Sequence, residues 1–309
     1  LTVATPKKAP ISLTRYAWLS IVAALVTIAL KSGAYWLTGS VGLFSDALES
    51  AVNLVAAGAV LWALRLSALP ADHDHNFGHD KAEYFSSGLE GGLIIAAAIT
   101  ILQASIPRLS DPSPIESVGA GVLLSLGAAL VNGAVSWVLF RAARVNHSLP
   151  LAADAQHLLT DVITSVGVLV AIVLVSWTHL YWLDPLIAIG VAVSILLTGV
   201  RLVRRSLAGL MDVALPVDEI ASIEAVLTRY QQQGIDWHAL RTRQSGARRF
   251  VSVHILVPGD WTVQDGHDLL EQLEYEVYQA LPHVSLSTHL EPINDPLSFV
   301  DQDIDRSVF

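Results

Sequence analysis

Val41-Gly42-Leu43-Phe44-Ser45-Asp46-Ala47-Leu48-Glu49-Ser50-Ala51-Val52-Asn53 opens an apolar run that continues to residue 66. As an α-helix, a run of that length crosses a hydrocarbon core of roughly 30 Å, for which about 20 residues suffice. Yet Asp46, Glu49, Ser50 and Asn53 interrupt it at spacings of three, four and seven, which collects all four on one helical stripe. Ionisable groups at membrane depth are costly, so such a stripe reads as functional.

Outward from this stretch the chain offers six apolar segments, at 16–38, 41–66, 84–107, 116–140, 150–177 and 182–203. The second to sixth follow one another through short connections, which predicts an antiparallel bundle. Helices are required because open backbone groups are too costly in lipid. The fifth segment carries a second polar stripe: Asp154, His157, Thr160 and Asp161, with His157 and Asp161 four apart on one face. In antiparallel helices Glu49, roughly 12 Å from the outer end of its segment, stands level with Asp161, and Asn53 with His157. Two carboxylates, an amide oxygen and an imidazole then converge near mid-membrane. A divalent cation between Glu49 and Asp161 would be locally neutral. In the third segment Glu90 stands beside Gly91 and Gly92, as a hydrogen-bonded interior carboxylate, at a helix end, or as a further functional group.

The composition agrees with lipid as solvent: 53% of residues are hydrophobic, 15% are charged and the mean hydropathy is +0.53, whereas soluble domains carry about 25% charged residues. A net charge of −10 argues against nucleic acid as partner. Cysteine is absent, which excludes disulfides and thiolate metal sites. Any metal must be held by His, Asp, Glu, Asn, backbone or water. There is neither a phosphate-cradling Gly-rich loop nor a His-Glu-x-x-His motif, so no organic cofactor and no enzymatic activity are expected.

Basic residues orient the bundle. Lys7, Lys8 and Arg15 precede the first segment, Arg65 and Lys81 flank the loop after the second, Arg141 and Arg144 follow the fourth, and Arg201, Arg204 and Arg205 close the sixth. The opposite side offers essentially Arg108. Both termini are therefore expected in the cytoplasm. Lys31, inside the first segment, does not fit this pattern cleanly, although snorkelling could accommodate it. The sequence divides into a cytoplasmic segment 1–15, a six-helix membrane domain 16–207, a cytoplasmic α+β domain 208–293 and an acidic flexible tail 294–309. The apolar stretch behind residue 15 is longer than that of a signal peptide and reads as a retained helix. In the α+β domain, 217–233 and 262–281 read as amphipathic helices, and 237–245, 248–257 and 284–292 as strands.

These stretches resemble the cation diffusion facilitator family, in its bacterial ferrous-iron and zinc efflux type. Ser45-Asp46-Ala47-Leu48-Glu49-Ser50-Ala51-Val52-Asn53 is similar to the family's Asp-Ala-Leu-His-Ser-x-x-Asp. His157-x-x-x-Asp161 matches directly, Phe77-Gly78-His79-Asp80-Lys81-Ala82-Glu83 resembles Phe-Gly-His-x-Lys-x-Glu, and Leu240-Arg241-Thr242-Arg243-Gln244-Ser245-Gly246 resembles the soluble domain. The resemblance implies a homodimer in the bacterial inner membrane, with a metallochaperone-like, ferredoxin-like cytoplasmic domain, exchanging a divalent metal for protons by alternating access. It implies a transport site of Glu49, Asn53, His157 and Asp161, with Asp46 as a supporting group or an alternative ligand. Asp72, His75 and His79 would form a loop site between the second and third segments, and His238, His254, His267, His289 and Glu291 a binuclear cytoplasmic-domain site at the dimer interface. Lys81 and Asp212 would interlock the bundle with the soluble domain across the dimer. Glu49 and Asn53 depart from the usual His or Asp. One imidazole with three oxygens suits Zn²⁺, and also Fe²⁺, Co²⁺, Mn²⁺ or Cd²⁺.

Three other classes fit these residues less well. A membrane-anchored metal sensor explains the histidines after residue 237 but not the matched stripes. An intramembrane metal hydrolase needs an open coordination position and a general base. An ion channel would lack proton coupling. His147, His179 and His283 are read as ordinary polar residues.

Overall fold

The computed structural model describes residues 14–112, 114–146, 149–246 and 248–300. The expectations for 1–13 and 301–309 lie outside the described residues. Six long helices come first: α1 (Thr14–Thr38), α2 (Val41–Ser67), α3 (Ala82–Ser110), α4 (Val118–Asn146), α5 (Leu149–Thr178) and α6 (Leu183–Leu210). Among the described residues these six are long and apolar enough to cross a membrane. Then follow α7 (Val217–Gln231), β1 (Asp236–Ser245), β2 (Arg248–Val257), α8 (Val263–Ala280), β3 (Val284–Pro292) and a 3₁₀ turn at Pro296–Phe299. The chain forms two compact units, one from residues 14–60 and 89–203, the other from 61–88 and 204–300.

In the first unit α4 packs against α1 and α5. The contact is built on Ala23, Ala142, Ala143 and Ala155, which let backbones approach closely around Leu139 and Leu158. Gly91 and Gly199 do the same for α3 and α6: a Cβ on Gly199 would lie 3.0 Å from the Gly91 carbonyl oxygen. The glycine beside Glu90 is thus a packing residue. Gly39, at φ +65°, ends α1 in the left-handed conformation that favours glycine. The following helix is capped from afar. Asp184 accepts from Ser40 Oγ at 2.6 Å and from the amides of Val41 at 2.9 Å and Gly42 at 3.3 Å. Trp36, Trp177 and Trp182 are exposed near helix ends, as expected where amphipathic rings meet headgroups.

Two helices run furthest past the ends of their apolar segments. The sequence predicts stops at 140 and 203, but α4 continues to Asn146 and α6 to Leu210. Arg141, Arg144, Arg204 and Arg205 end the apolar band without ending the helix, because arginine is a good helix former. Lys31 does not snorkel: it is 1% exposed and its ammonium pairs with Asp46 at 2.8 Å.

In the second unit β1 and β2 pair antiparallel and β2 and β3 parallel, in the order β1-β2-β3. The order αββαβ is the ferredoxin-like pattern without its first strand. Val251, Val253, Ile255 and Val257 alternate onto one sheet face and bury against Ile223, Leu227, Leu273 and Val277 of α7 and α8. Thr262 and Asp265 form a capping box that starts α8. Arg249 grips Glu219 through two nitrogens at 2.6 and 2.7 Å, which holds that carboxyl below its ordinary range. Burial, with Glu276 accepting from its hydroxyl at 3.0 Å, pushes Tyr230 up to about 12. The tail expected to be flexible from 294 is ordered at its start. Asp295 caps the 3₁₀ turn, and Ser298 is buried with its hydroxyl on the Pro292 carbonyl.

Candidate metal centres

Glu49 and Asn53 of α2 and His157 and Asp161 of α5 line one cavity of about 360 Å³. The other wall comes from α3 and α6, where Ser194 and Thr198 add hydroxyls to an otherwise apolar lining. Asp161 is buried and His157 is exposed to the space. A second cavity, about 90 Å³, meets Asn53, His157 and Asp161 from the side of α1 and α4. Ser20 donates to Asp154 there at 3.1 Å, and buried Asn132 turns in an Oδ1 with no hydrogen-bond partner among the described residues. The polar stripes of α2 and α5 therefore meet between two hollows.

Asp46 is not part of this cavity's lining. Both its oxygens lie within 3.1 Å of Ser165 Oγ, and Lys31 donates to one of them at 2.8 Å. Of the two roles expected for Asp46, this geometry disfavours the alternative ligand. Glu90 lies outside the cavity as well.

Two triads of donors converge to within 4.8 Å among the described residues, and both are in the second unit. The first is Asp72, His75 and His79. Asp72 Oδ1 accepts from the His75 amide at 2.7 Å, and this bond above all holds its carboxyl below the ordinary value. His75 Nδ1 and His79 Nε2 each stand 3.2 Å from an Asp72 oxygen. Gly78, at φ +87°, makes the turn that brings His79 back. His79 Nδ1 is buried without a hydrogen-bond partner among the described residues, while its other nitrogen faces the triad. His73 points away into solvent.

The second triad is His238, His254 and Glu291. Strand register assembles it: His238 pairs with His254 across β1 and β2, and His254 with His289 across β2 and β3. All three rings stand in one row, on the sheet face away from α7 and α8. A bulge after His238, with Ala239 at φ +51°, sets the first ring. Glu291 Oε2 lies 2.8 Å from His238 Nε2 and 3.2 Å from His254 Nδ1. His289 is 3.5 Å from the other oxygen and more open. His267, expected in this group, stands exposed on α8 and is not brought into it. Imidazoles with one buried carboxylate are a fitting donor set for a first-row divalent metal.

Lys81 and Asp212 pair within the chain at 3.0 Å. Arg243, which sequence reading did not single out, completes the group at 3.1 Å while stacking over Phe250 and Phe77 at 4.3 and 5.0 Å. Lys81, then Arg243, holds the Asp212 carboxyl below its ordinary value. The signal was present in Leu240-Arg241-Thr242-Arg243, but the partner cannot be read from a single strand.

Residues 17–211 match the family model of the cation efflux transmembrane domain, and residues 215–293 that of the cation efflux protein cytoplasmic domain. The chain belongs to the cation diffusion facilitator family of cation efflux proteins, whose members are membrane transporters, and is a multi-pass membrane protein. It is 50% identical over 288 residues to an uncharacterized transporter from Synechocystis sp., covering 93% of each chain. It is 33% identical over 273 residues to the cation-efflux pump FieF of Yersinia pestis, covering 87% of this chain and 89% of that one. Among solved structures, the metal-bound C-terminal domain of the CzcD transporter from Thermotoga maritima aligns at 27% identity and a TM-score of 0.24, over 26% of this chain and 93% of that one. The zinc form of the putative zinc transporter CzrB aligns at 34% identity and a TM-score of 0.23, over 26% and 90%.

Proposed function

We propose that this protein moves a divalent transition-metal cation, of the Zn²⁺/Fe²⁺ class, out of the cytoplasm in exchange for protons. It would work as a homodimer in the bacterial inner membrane, with both termini cytoplasmic. The observation that carries this reading is the cavity among apolar helices into which Glu49, Asn53, His157 and Asp161 all open. Membership in a cation efflux family supports it. Two carboxylates match a double positive charge, and the amide and imidazole supply neutral donors. Metal must displace protons from His157 and the carboxylates to bind, because ligands coordinate in their deprotonated form. Once the site opens to the other side, incoming protons compete the metal off, and the proton gradient supplies the driving force.

The triad His238, His254 and Glu291 would hold metal in the soluble domain, as would Asp72, His75 and His79 in the loop. Metal there biases transport only through a differential affinity for two states of the protein. That these two triads are the more convergent ones favours, as second reading, a membrane-anchored sensor. Metal-driven proton flux in proteoliposomes separates the two. Transport that is abolished by Asp161→Ala in a folded dimer is the expected result. Wild-type flux in that variant rejects the site, and no flux in the unaltered protein despite tight metal binding leaves the sensor.

A further inference from the structure

Lys31 sits mid-helix in α1 with almost no exposure, an expensive place for an ammonium. It donates to Asp46 Oδ1 and to Ser50 Oγ, each at 2.8 Å. From α5, Ser165 Oγ reaches both Asp46 oxygens at 3.0 and 3.1 Å. Three helices therefore meet on one buried carboxylate. Two of them carry the metal donors: Asp46 precedes Glu49 by three residues, and Ser165 follows Asp161 by four. A buried ion pair seldom stabilises a fold more than apolar residues of the same volume would. Stability is therefore a weak reason for Lys31, and its position beside the donors suggests another.

The charges supply it. Glu49 and Asp161 bring two negative charges to the cavity, and Asp46, one helical turn away, would add a third. We propose that Lys31 is a specificity-determining residue: by cancelling Asp46 it sets the intramembrane site at two net negative charges, matched to a divalent cation. The assignment rests on the transport site proposed above. Without Lys31 the site holds one charge too many and retains its cation. Without Asp46 the ammonium stands uncancelled and repels it. Residues three apart on a helix have Cβ atoms about 5–6 Å apart. A unit charge at that range changes the affinity for a divalent ion about tenfold even with the screening of bulk water, and by more at a lower effective dielectric.

The test is a double-mutant cycle on the full-length protein, read as KM and kcat for Zn²⁺ uptake into proteoliposomes. Lys31→Met should lower KM about tenfold and slow turnover, whereas Asp46→Asn should raise KM about tenfold. The double variant, again at two net charges, should return to within about threefold of wild type. Opposite signs with mutual rescue are the signature of charge matching. Losses in the same direction without rescue, or unchanged KM in both single variants, overturn the proposal. If a single variant fails to fold, the double variant decides, since it must fold and keep the wild-type KM. Asp161→Ala run alongside separates the two ideas: if it transports normally the site itself is wrong, and if it is inactive while the cycle fails, only Lys31 is misassigned.

Discussion

Replacing Asp184 by alanine should destabilise the membrane unit and slow transport together, although the residue lies far along the chain from every proposed ligand. Its carboxylate accepts from one hydroxyl and two backbone amides at the start of α2, and is 5% exposed. Alanine would leave those donors buried and unpaired. Each buried donor left unsatisfied costs about 1–3 kcal/mol, and the lost anion at a helix N-terminus adds about 0.3–1 kcal/mol. Ser40 can turn its hydroxyl elsewhere, so the two amides and the dipole set a total of about 3 kcal/mol or more. For a unit of this size that lowers the melting temperature by about 6–12 °C. Asparagine keeps an acceptor and should lose about half as much. The assay is thermal unfolding of the purified protein in detergent, followed by uptake at a temperature where all variants are folded. Glu49 lies two turns into the helix that Asp184 caps, so loosening its first turn should raise KM as well. An alanine variant that melts with the wild type would refute the capping account.

The remaining predictions concern the metal centres and their support. Asn53→Asp adds a third carboxylate to the cavity and should tighten metal binding at least tenfold while shifting the order of preference among Zn²⁺, Fe²⁺, Mn²⁺, Co²⁺ and Cd²⁺; competition uptake reads both. Glu291→Gln should weaken metal binding by the soluble domain at least tenfold, because one buried oxygen serves both His238 and His254. His267→Ala should leave that binding unchanged, and calorimetric titration distinguishes the two. The Asp212 carboxyl, depressed by Lys81 and Arg243, stabilises the fold in full above its unfolded value near 3.8 and loses that contribution as pH falls below it. The pair is half exposed, so the effect is about 1 kcal/mol at most, and Asp212→Asn should remove that residue's share of the acid-side slope in a denaturation series.

What the sequence made legible follows from contrast. Glu49, Asn53, His157 and Asp161 stand out because a membrane helix has so few polar residues, and helical spacing then says which of them share a face. The row His238, His254 and His289 needs strand register as well as alternation, and only the alternation is visible in one dimension. The partner of Lys31 was hidden because the rotation of α1 about its axis is set by packing, which the spacing within α2 does not encode. The cap on α2 was hidden for a related reason, since Ser40 and Asp184 are 144 residues apart and meet only when α6 returns beside α2. His267 is exposed on α8 within one protomer, so its place in the group implied by similarity depends on a second copy of the chain and cannot be read from one.

The three centres differ in a way that suits their proposed tasks. Asp72 with His75 and His79, and Glu291 with His238 and His254, are already drawn together, each carboxylate hydrogen-bonded to its neighbours before any metal arrives. Such preorganisation lowers the ordering cost of binding and favours retention. Glu49, Asn53, His157 and Asp161 instead line a hollow of about 360 Å³, and Glu49, His157 and Asp161 do not form a converged triad among the described residues. A group that must capture an ion on one side and surrender it on the other cannot bind too firmly, since conduction requires binding weak enough to leave. An open donor set, charge-balanced as proposed by Lys31 against Asp46, would meet that requirement where a preassembled triad would trap its cargo.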